Sequence, residues 1–267
     1  MNRLFSVIIG LTASVPLGTG CQGQRIEIPK SFTNAIGMKF VWIAPGTFLM
    51  GSPKEEKERE DDEIQHKVTF NRGIYMAIHP VTQEEWIATM GTNPSRHTGE
   101  KNLPVEWVSW DDCQQFIKKL RNKDNKLYRL PTEAEWEYCC RAGTTTPFHF
   151  GETISTDQAN YQGDYTYANG KEGVNREKTT PVGRFPANAW GLHDMHGNVF
   201  QWCQDWYGSV PQNDTVDPQG PEKGKHRVMR GGSWLDYPKY CRSAFRGSDA
   251  PRSSGKNAGL RLCFFAD

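Results

Sequence analysis

The chain has 267 residues, with 32 Lys+Arg against 31 Asp+Glu, so its formal net charge is only +1. A field that weak does not recruit a polyanion, and nucleic acid drops out as a partner. With 26 Gly, 16 Pro and 9 Trp, the composition suits neither a helical bundle nor a disordered chain; it suits one loop-rich core held by large aromatic anchors.

In chain order, the first segment is a basic start at Arg3, an apolar run through Leu4, Phe5, Val7, Ile8, Ile9 and Leu11, and small residues leading to Cys21. This pattern predicts a signal peptide over residues 1–20, too short for a comfortable membrane span. Leu17-Gly18-Thr19-Gly20-Cys21 is similar to a bacterial lipobox. Two outcomes stay open: lipidation of Cys21, the one membrane attachment suggested, or a simple periplasmic or secreted product. A linker is expected over residues 21–33 and a single domain over residues 34–267. Export permits disulfides, but the six remaining cysteines form no C-x-x-C pair and no zinc framework.

Phe40-Val41-Trp42-Ile43 and Thr47-Phe48-Leu49-Met50-Gly51 predict two short strands around a Pro45-Gly46 turn, and His66 to Phe70 and Ile74 to Ile78 predict two more. Residues 54–63 are nearly all charged and predict a solvated loop. Three helix starts follow, at Thr82 with Glu85, Ser109 with Asp112 and Thr132 with Glu135. In each, the hydroxyl can accept from an orphan backbone N–H and the acid can accept from the cap's own N–H; Asp112 is the shorter imitation. Cys113, Phe116, Ile117 and Leu120 fall at i, i+3, i+4 and i+7 and predict a core-facing stripe. Cys140, four residues after Trp136 on the same face, reads as core or disulfide. Beyond Gly143 no further long helix is predicted, and residues 210–224 read as a surface excursion.

Several separated motifs resemble the formylglycine-generating enzyme, or sulfatase-modifying factor, family. They include Pro45-Gly46-Thr47-Phe48-Leu49-Met50-Gly51, Leu103-Pro104-Val105-Glu106-Trp107, Arg129-Leu130-Pro131-Thr132-Glu133-Ala134-Glu135-Trp136-Glu137-Tyr138, Gly191-Leu192-His193-Asp194-Met195-His196-Gly197-Asn198-Val199, Arg230-Gly231-Gly232-Ser233-Trp234 and Gly259-Leu260-Arg261. The resemblance runs from about residue 34 to 264 in family order. It implies an α+β fold, a C-type-lectin-like variation with many ordered loops and little regular secondary structure. It also implies an activity, the copper- and oxygen-dependent oxidation of a sulfatase cysteine to formylglycine, although a shared fold does not by itself settle function.

The resemblance further suggests calcium. Asp194, the carbonyls of Gly197 and Val199, and the Gln201 amide match one family site, where Gln201 replaces the usual Glu. Calcium takes about 6–8 oxygens. Asn160 and the carbonyl of Tyr161 match half of a second site, whose other half does not match across residues 170–175. The alternative for residues 194–202 is an Asp-capped turn braced by Trp190, Trp202 and Trp206. His193 and His196 lack the register and further ligands for a catalytic zinc or iron.

The family's oxidase centre uses two cysteines separated by four residues just after Gly-Gly-Ser. Here the remnant site reads Ser233, Asp236 and Cys241: the second cysteine is kept and the first is Asp. Copper(I) favours thiolates, and a carboxylate is a hard donor without redox chemistry. Copper binding is therefore not expected, and no residue is assigned a catalytic role. Cys203 is the candidate to rescue the pair, or else to close a Cys203–Cys241 disulfide. Of the family's own disulfide positions, Cys140 matches one, its mate falls at Arg246, and Ile117 and Leu262 stand at the other pair.

Three functions follow as alternatives. The first is a protein without oxidase activity whose loop face binds a peptide, carbohydrate or protein through Trp234, Asp236, Tyr237, Arg242 and Arg246. The second is an active oxidoreductase maturing sulfatases. The third is a structural or assembly module of the cell envelope. An open cavity beside Asp236 would favour the first, and an exposed apolar patch elsewhere the third.

Overall fold

A computed structural model describes residues 28–266. The expected signal peptide and Cys21 lie outside the described residues. The strands are Ser31–Thr33 (β1), Lys39–Ile43 (β2), Thr47–Met50 (β3), His66–Thr69 (β4) and Ile74–Ala77 (β5), followed by helices Gln83–Met90 (α1), Trp110–Asp124 (α2) and Glu133–Arg141 (α3). Then come Phe200–Trp206 (β6), Thr215–Val216 (β7), Arg227–Arg230 (β8), Gly247–Asp249 (β9), Ala258–Leu260 (β10) and Cys263–Phe265 (β11). The result is α+β with long ordered loops. Among the described residues no helix is long and apolar enough to cross a membrane.

Three small sheets carry the loops, in the orders β1-β2-β5-β11, β10-β6-β8-β9 and β3-β4-β7. The expected linker is therefore sheet at its end, because Ser31–Thr33 pairs with β2. The strands on either side of Pro45-Gly46 form as expected but enter different sheets: β2 pairs with β5, and β3 with β4. The excursion over residues 210–224 is tied down at its middle, where β7 lies parallel to β4. In the second sheet β6 takes β10 in parallel on one side and β8 antiparallel on the other. This pairing brings the segments after residues 194, 230 and 257 together, although they are far apart in sequence.

All three helices start as their end chemistry predicts. Thr82, Ser109 and Thr132 each accept from the backbone N–H three residues on, and Glu85, Asp112 and Glu135 each return the bond to the cap's own N–H. Such a cap stabilises by about 1 kcal/mol. Arg129 strengthens the third, because its guanidinium forks onto both Glu135 oxygens at 2.6 and 2.7 Å. Cys113, Phe116, Ile117 and Leu120 are buried in the main cluster with Phe40, Tyr128, Trp202 and Phe264. A second cluster gathers Trp136, Cys139, Cys140, Met195 and Cys203. Past α3 the only further helix among the described residues is a 3-10 turn at Pro238–Cys241.

Candidate functional site

The segment after β8 is shaped by two glycines with positive φ, Gly231 at 95° and Gly232 at 66°. A Cβ on Gly232 would lie 2.6 Å from Cys241 Sγ and 2.8 Å from Tyr240 O, so the loop closes on itself only because no side chain is there. Ser233 follows, fully buried, and donates a very short hydrogen bond from Oγ to Asp236 Oδ2. Asn257 Nδ2 donates to the same two atoms, at 3.1 Å to Ser233 Oγ and 3.3 Å to Asp236 Oδ2. Burial raises the Asp236 pKa, against the pull of the Ser233 and Asn257 hydrogen bonds. Asn257 stands just before Gly259-Leu260-Arg261, and that position was the only available signal for it.

Cys241 sits at the end of the 3-10 turn, fully buried, with Sγ 3.9 Å from Tyr237 O. Burial, and then the Asp236 charge, push its pKa well above the usual thiol value, so it is a neutral thiol. The donor set does not fit copper(I): one position is a hydrogen-bonded carboxyl and the other a protonated sulfur. The Cys203–Cys241 disulfide is not formed. Both thiols are free, and they lie in separate clusters, Cys203 beside Trp136 and Val228, Cys241 beside Phe148 and Tyr161. Cys203 therefore stands among apolar side chains rather than with Cys241. Cys140 is a free buried thiol, 3.7 Å from His196 Nε2 and 3.6 Å from Ser243 Oγ.

Two expected contact residues are internal. Arg242 is fully buried and donates to Glu63 at 2.6 and 2.7 Å, to Glu56 at 2.7 Å and to Glu58 O at 2.8 Å. Arg246 forks onto Glu133 at 2.7 and 2.9 Å and reaches Asp62 at 3.2 Å. Arg242 is not available to a ligand, and Arg246, which lines a cavity with Glu133 and Asp205, meets it with its charge already held by Glu133. The loop over residues 54–63, expected to be wholly solvated, turns Glu56 and Glu63 inward because these guanidiniums need counter-charges. Of the other expected contacts, Trp234 is 7% exposed, and Tyr237, 38% exposed, packs on Tyr165 with ring centroids 4.1 Å apart.

At the Asp194 turn, Gly197 has a φ of 76°, and a Cβ there would fall 2.3 Å from Asn160 O. Gln201 Oε1 accepts from Trp136 Nε1 at 2.9 Å and from Arg261 Nε at 2.8 Å, while its Nε2 donates to Asp194 O at 2.7 Å. Arg261, fully buried, also donates to the carbonyls of Ala77 and His193. Both Gln201 oxygen lone pairs are thus taken by protein donors, and a guanidinium supplies the positive charge. As arranged, the Gln201 amide has no oxygen left for a calcium shell, and Asp194 Oδ2 accepts from Gly183 N–H at 2.8 Å. Val199 is buried in the turn. His193 and His196 are occupied as well: His193 Nδ1 donates to Phe185 O, and His196 Nδ1 donates to Cys241 O while Nε2 accepts from His149 N–H. Among the described residues no group of three or more His, Cys, Asp or Glu is placed to share a metal.

The Asn160 half-site differs. Its amide donates to Lys178 O at 2.8 Å, but Oδ1 is buried with no hydrogen-bond partner among the described residues. That oxygen is one open donor where a shell needs about six. Calcium, compared with a chelator, is expected to leave the melting temperature unchanged. A calcium-dependent rise of several degrees that Asn160→Ala abolishes would instead place an ion here.

Beside Trp234 lies a cavity of about 300 Å³, lined by Arg96, His97, Gln162, Asn175, Glu177, Trp234, Leu235 and Lys256. Sequence reasoning named only Trp234 among these. Leu235 adjoins it, and the rest come from the segments around residues 96–97, 162–177 and 256, which share no motif and which only the fold brings together. The loop carrying Arg96 and His97 is fixed from below: both backbone N–H groups donate to Glu106 Oε1, at 2.7 and 2.8 Å, and Glu106 is fully buried. His97 packs edge-on to Trp234 at 5.1 Å, and Lys256 Nζ sits 5.9 Å from the indole centroid.

Residues 27–264 match the sulfatase-modifying factor enzyme 1-like domain. The chain is 38% identical to the formylglycine-generating enzyme of Streptomyces coelicolor, over 64% of this chain and 55% of that protein. It is 31% identical to the serine/threonine-protein kinase pkn1 of Chlamydia caviae, over 84% of this chain and 37% of that protein. It therefore spans about half or less of the length of these two relatives. Among solved structures it is similar to Treponema denticola variable protein 1, with a TM-score of 0.77, 26% identity and coverage of 90% of this chain and 100% of that one. With the family's fold present from β1 to β11 and its motifs gathered at Asp194, Ser233 and Arg261, the chain belongs to the sulfatase-modifying factor enzyme 1-like domain family.

Proposed function

We propose that this family member is an exported protein that does not carry out copper-dependent cysteine oxidation and that binds a peptide, carbohydrate or protein ligand at its loop face. One observation carries the reading: at the first cysteine position Asp236 is tied to Ser233 and Asn257, opposite a protonated Cys241. That arrangement offers one sulfur, no second thiol and no route to a disulfide. The open cavity lined by Trp234 and Leu235 supports ligand binding over a purely structural role. Export and placement at the cell envelope, periplasmic, secreted or lipid-anchored through Cys21, rest on the residue pattern before the domain.

The test is a copper-loaded, oxygenated assay on a sulfatase cysteine peptide, read by mass. The unaltered protein is expected to form no formylglycine and to bind no copper(I) through a two-thiol centre. Asp236→Cys is expected to restore copper(I) binding before it restores turnover, because Tyr237 and Pro238 still shape the neighbouring turn. Robust formylglycine production by the unaltered protein would overturn the reading.

A further inference from the structure

The cavity beside Trp234 carries two cationic side chains, Arg96 and Lys256, without an ion pair among the described residues, although the field of Arg96 reaches the buried Glu106 carboxyl beneath the loop. The other arginines near the site are treated differently, since Arg230, Arg242 and Arg246 each hold buried carboxylates. Glu177 is the one carboxylate on the lining, and Asp164 behind it is engaged by Asn175 Nδ2 at 2.6 Å. The field is felt locally: burial, then the charges of Arg96, Lys178 and Lys256, lower the His97 pKa, so the ring stays neutral.

The polar groups are also held ready. Glu106 fixes the Arg96-His97 backbone from beneath, so the loop need not be ordered by a ligand. Trp234 Nε1 is buried and has no acceptor among the described residues. The Gln162 side-chain amide makes no hydrogen bond there either. An unmet buried donor costs about 1–3 kcal/mol; this one is covered, so the exposed cations Arg96 and Lys256 are the groups that meet a ligand first.

We propose that this cavity binds the carboxylate of an acidic peptide segment, with Arg96 and Lys256 as its charge partners. The proposal rests on the ligand-binding reading above and names the ligand's chemistry. A peptide fits better than a sugar for a physical reason. Sugars seat on an exposed aromatic face, and Trp234, the one Trp or Tyr on the lining, is 93% covered, whereas the unengaged amide of Gln162 matches peptide N–H and C=O groups.

The experiment uses fluorescence anisotropy with a labelled glutamate-rich peptide and a lysine-rich peptide of the same length, at low and high salt. The glutamate-rich peptide is expected to bind, more weakly as salt rises, and the lysine-rich peptide is not. The double variant R96Q/K256Q is expected to lose about tenfold or more in affinity with an unchanged melting curve, since both side chains are exposed. Equal binding of the two peptides, no binding of either, or full affinity in the double variant would each overturn the proposal. So would tighter binding of a sulfated oligosaccharide than of the glutamate-rich peptide. The formylglycine assay reads the loss of oxidase chemistry separately, so failure here leaves that conclusion standing.

Discussion

Replacing Arg242 by Ala is expected to destabilise the protein by about 3–5 kcal/mol, read as a shift in the denaturant midpoint. The side chain is fully buried and is the shared counter-charge of Glu63 and Glu56. Burial opposes its charge, yet the hydrogen bonds and fields of Glu63 and Glu56 outweigh burial and hold its pKa above the ordinary guanidinium value. Removing it leaves the Glu56 and Glu63 carboxylates inside without a cation, Glu63 keeping only the Ser52 hydroxyl, and the Glu58 carbonyl loses its donor too. The cost therefore lies in what remains rather than in the bond removed. The double variant R242M/E63M is expected to recover part of the loss, because it takes away a stranded charge along with its cation. A loss of under about 1 kcal/mol in the single variant would mean that the acidic loop is not anchored through Arg242.

The second large effect concerns pH. Asp205, at the end of β6, lines a cavity of about 490 Å³ with Glu133 and Gly220. Burial, then the Glu133 charge, push its pKa up to about 7, although its Oδ2 accepts from Glu133 N–H at 2.9 Å. Its unfolded value is about 4. The native state therefore binds the proton more tightly than the unfolded chain, and this contribution is fully present below pH ~4, falls as pH rises, and is gone above pH ~7. The total is about 4 kcal/mol. Asp205→Asn keeps an oxygen for the Glu133 N–H and removes the titration. Its stability is expected to fall less than that of the unaltered protein between about pH 3 and 8, roughly one unit outside the window on either side. Parallel pH profiles for the two proteins would show that Asp205 stays ionised in the folded state.

The residues that act locally were legible. Thr82, Ser109 and Thr132 announce their helices because a cap and its returning acid are three residues apart, and the stripe from Cys113 to Leu120 repeats at helical spacing. The replacement at Asp236 was equally plain, since it is a change of element, sulfur to oxygen, at a fixed offset from Ser233. The missed features all depend on distant partners. The charged loop over residues 54–63 read as solvated because the Arg242 that turns Glu63 inward is 179 residues away. Gln201 read as an oxygen donor for a cation, and nothing near it in sequence shows that Arg261, 60 residues later, takes that oxygen. Cys203 and Cys241 were candidates for pairing until the fold put them in different clusters.

The family, the α+β class, the three helix starts and the replacement of one thiol of the oxidase pair can all be read from the order of the residues. These rest on spacings of a few residues or on the chemistry of one side chain, and neither needs a third dimension. Which charges are neutralised and which remain depends on contacts made in the folded chain. The fold buried Arg230, Arg242, Arg246 and Arg261 against carboxylates and carbonyls, and it left Arg96 and Lys256 without an ion pair among the described residues around Trp234. The reason is physical: a charge is silent or available according to what lies within a few ångströms of it and how much water is excluded, and in a fold built from long loops those neighbours come from distant parts of the chain.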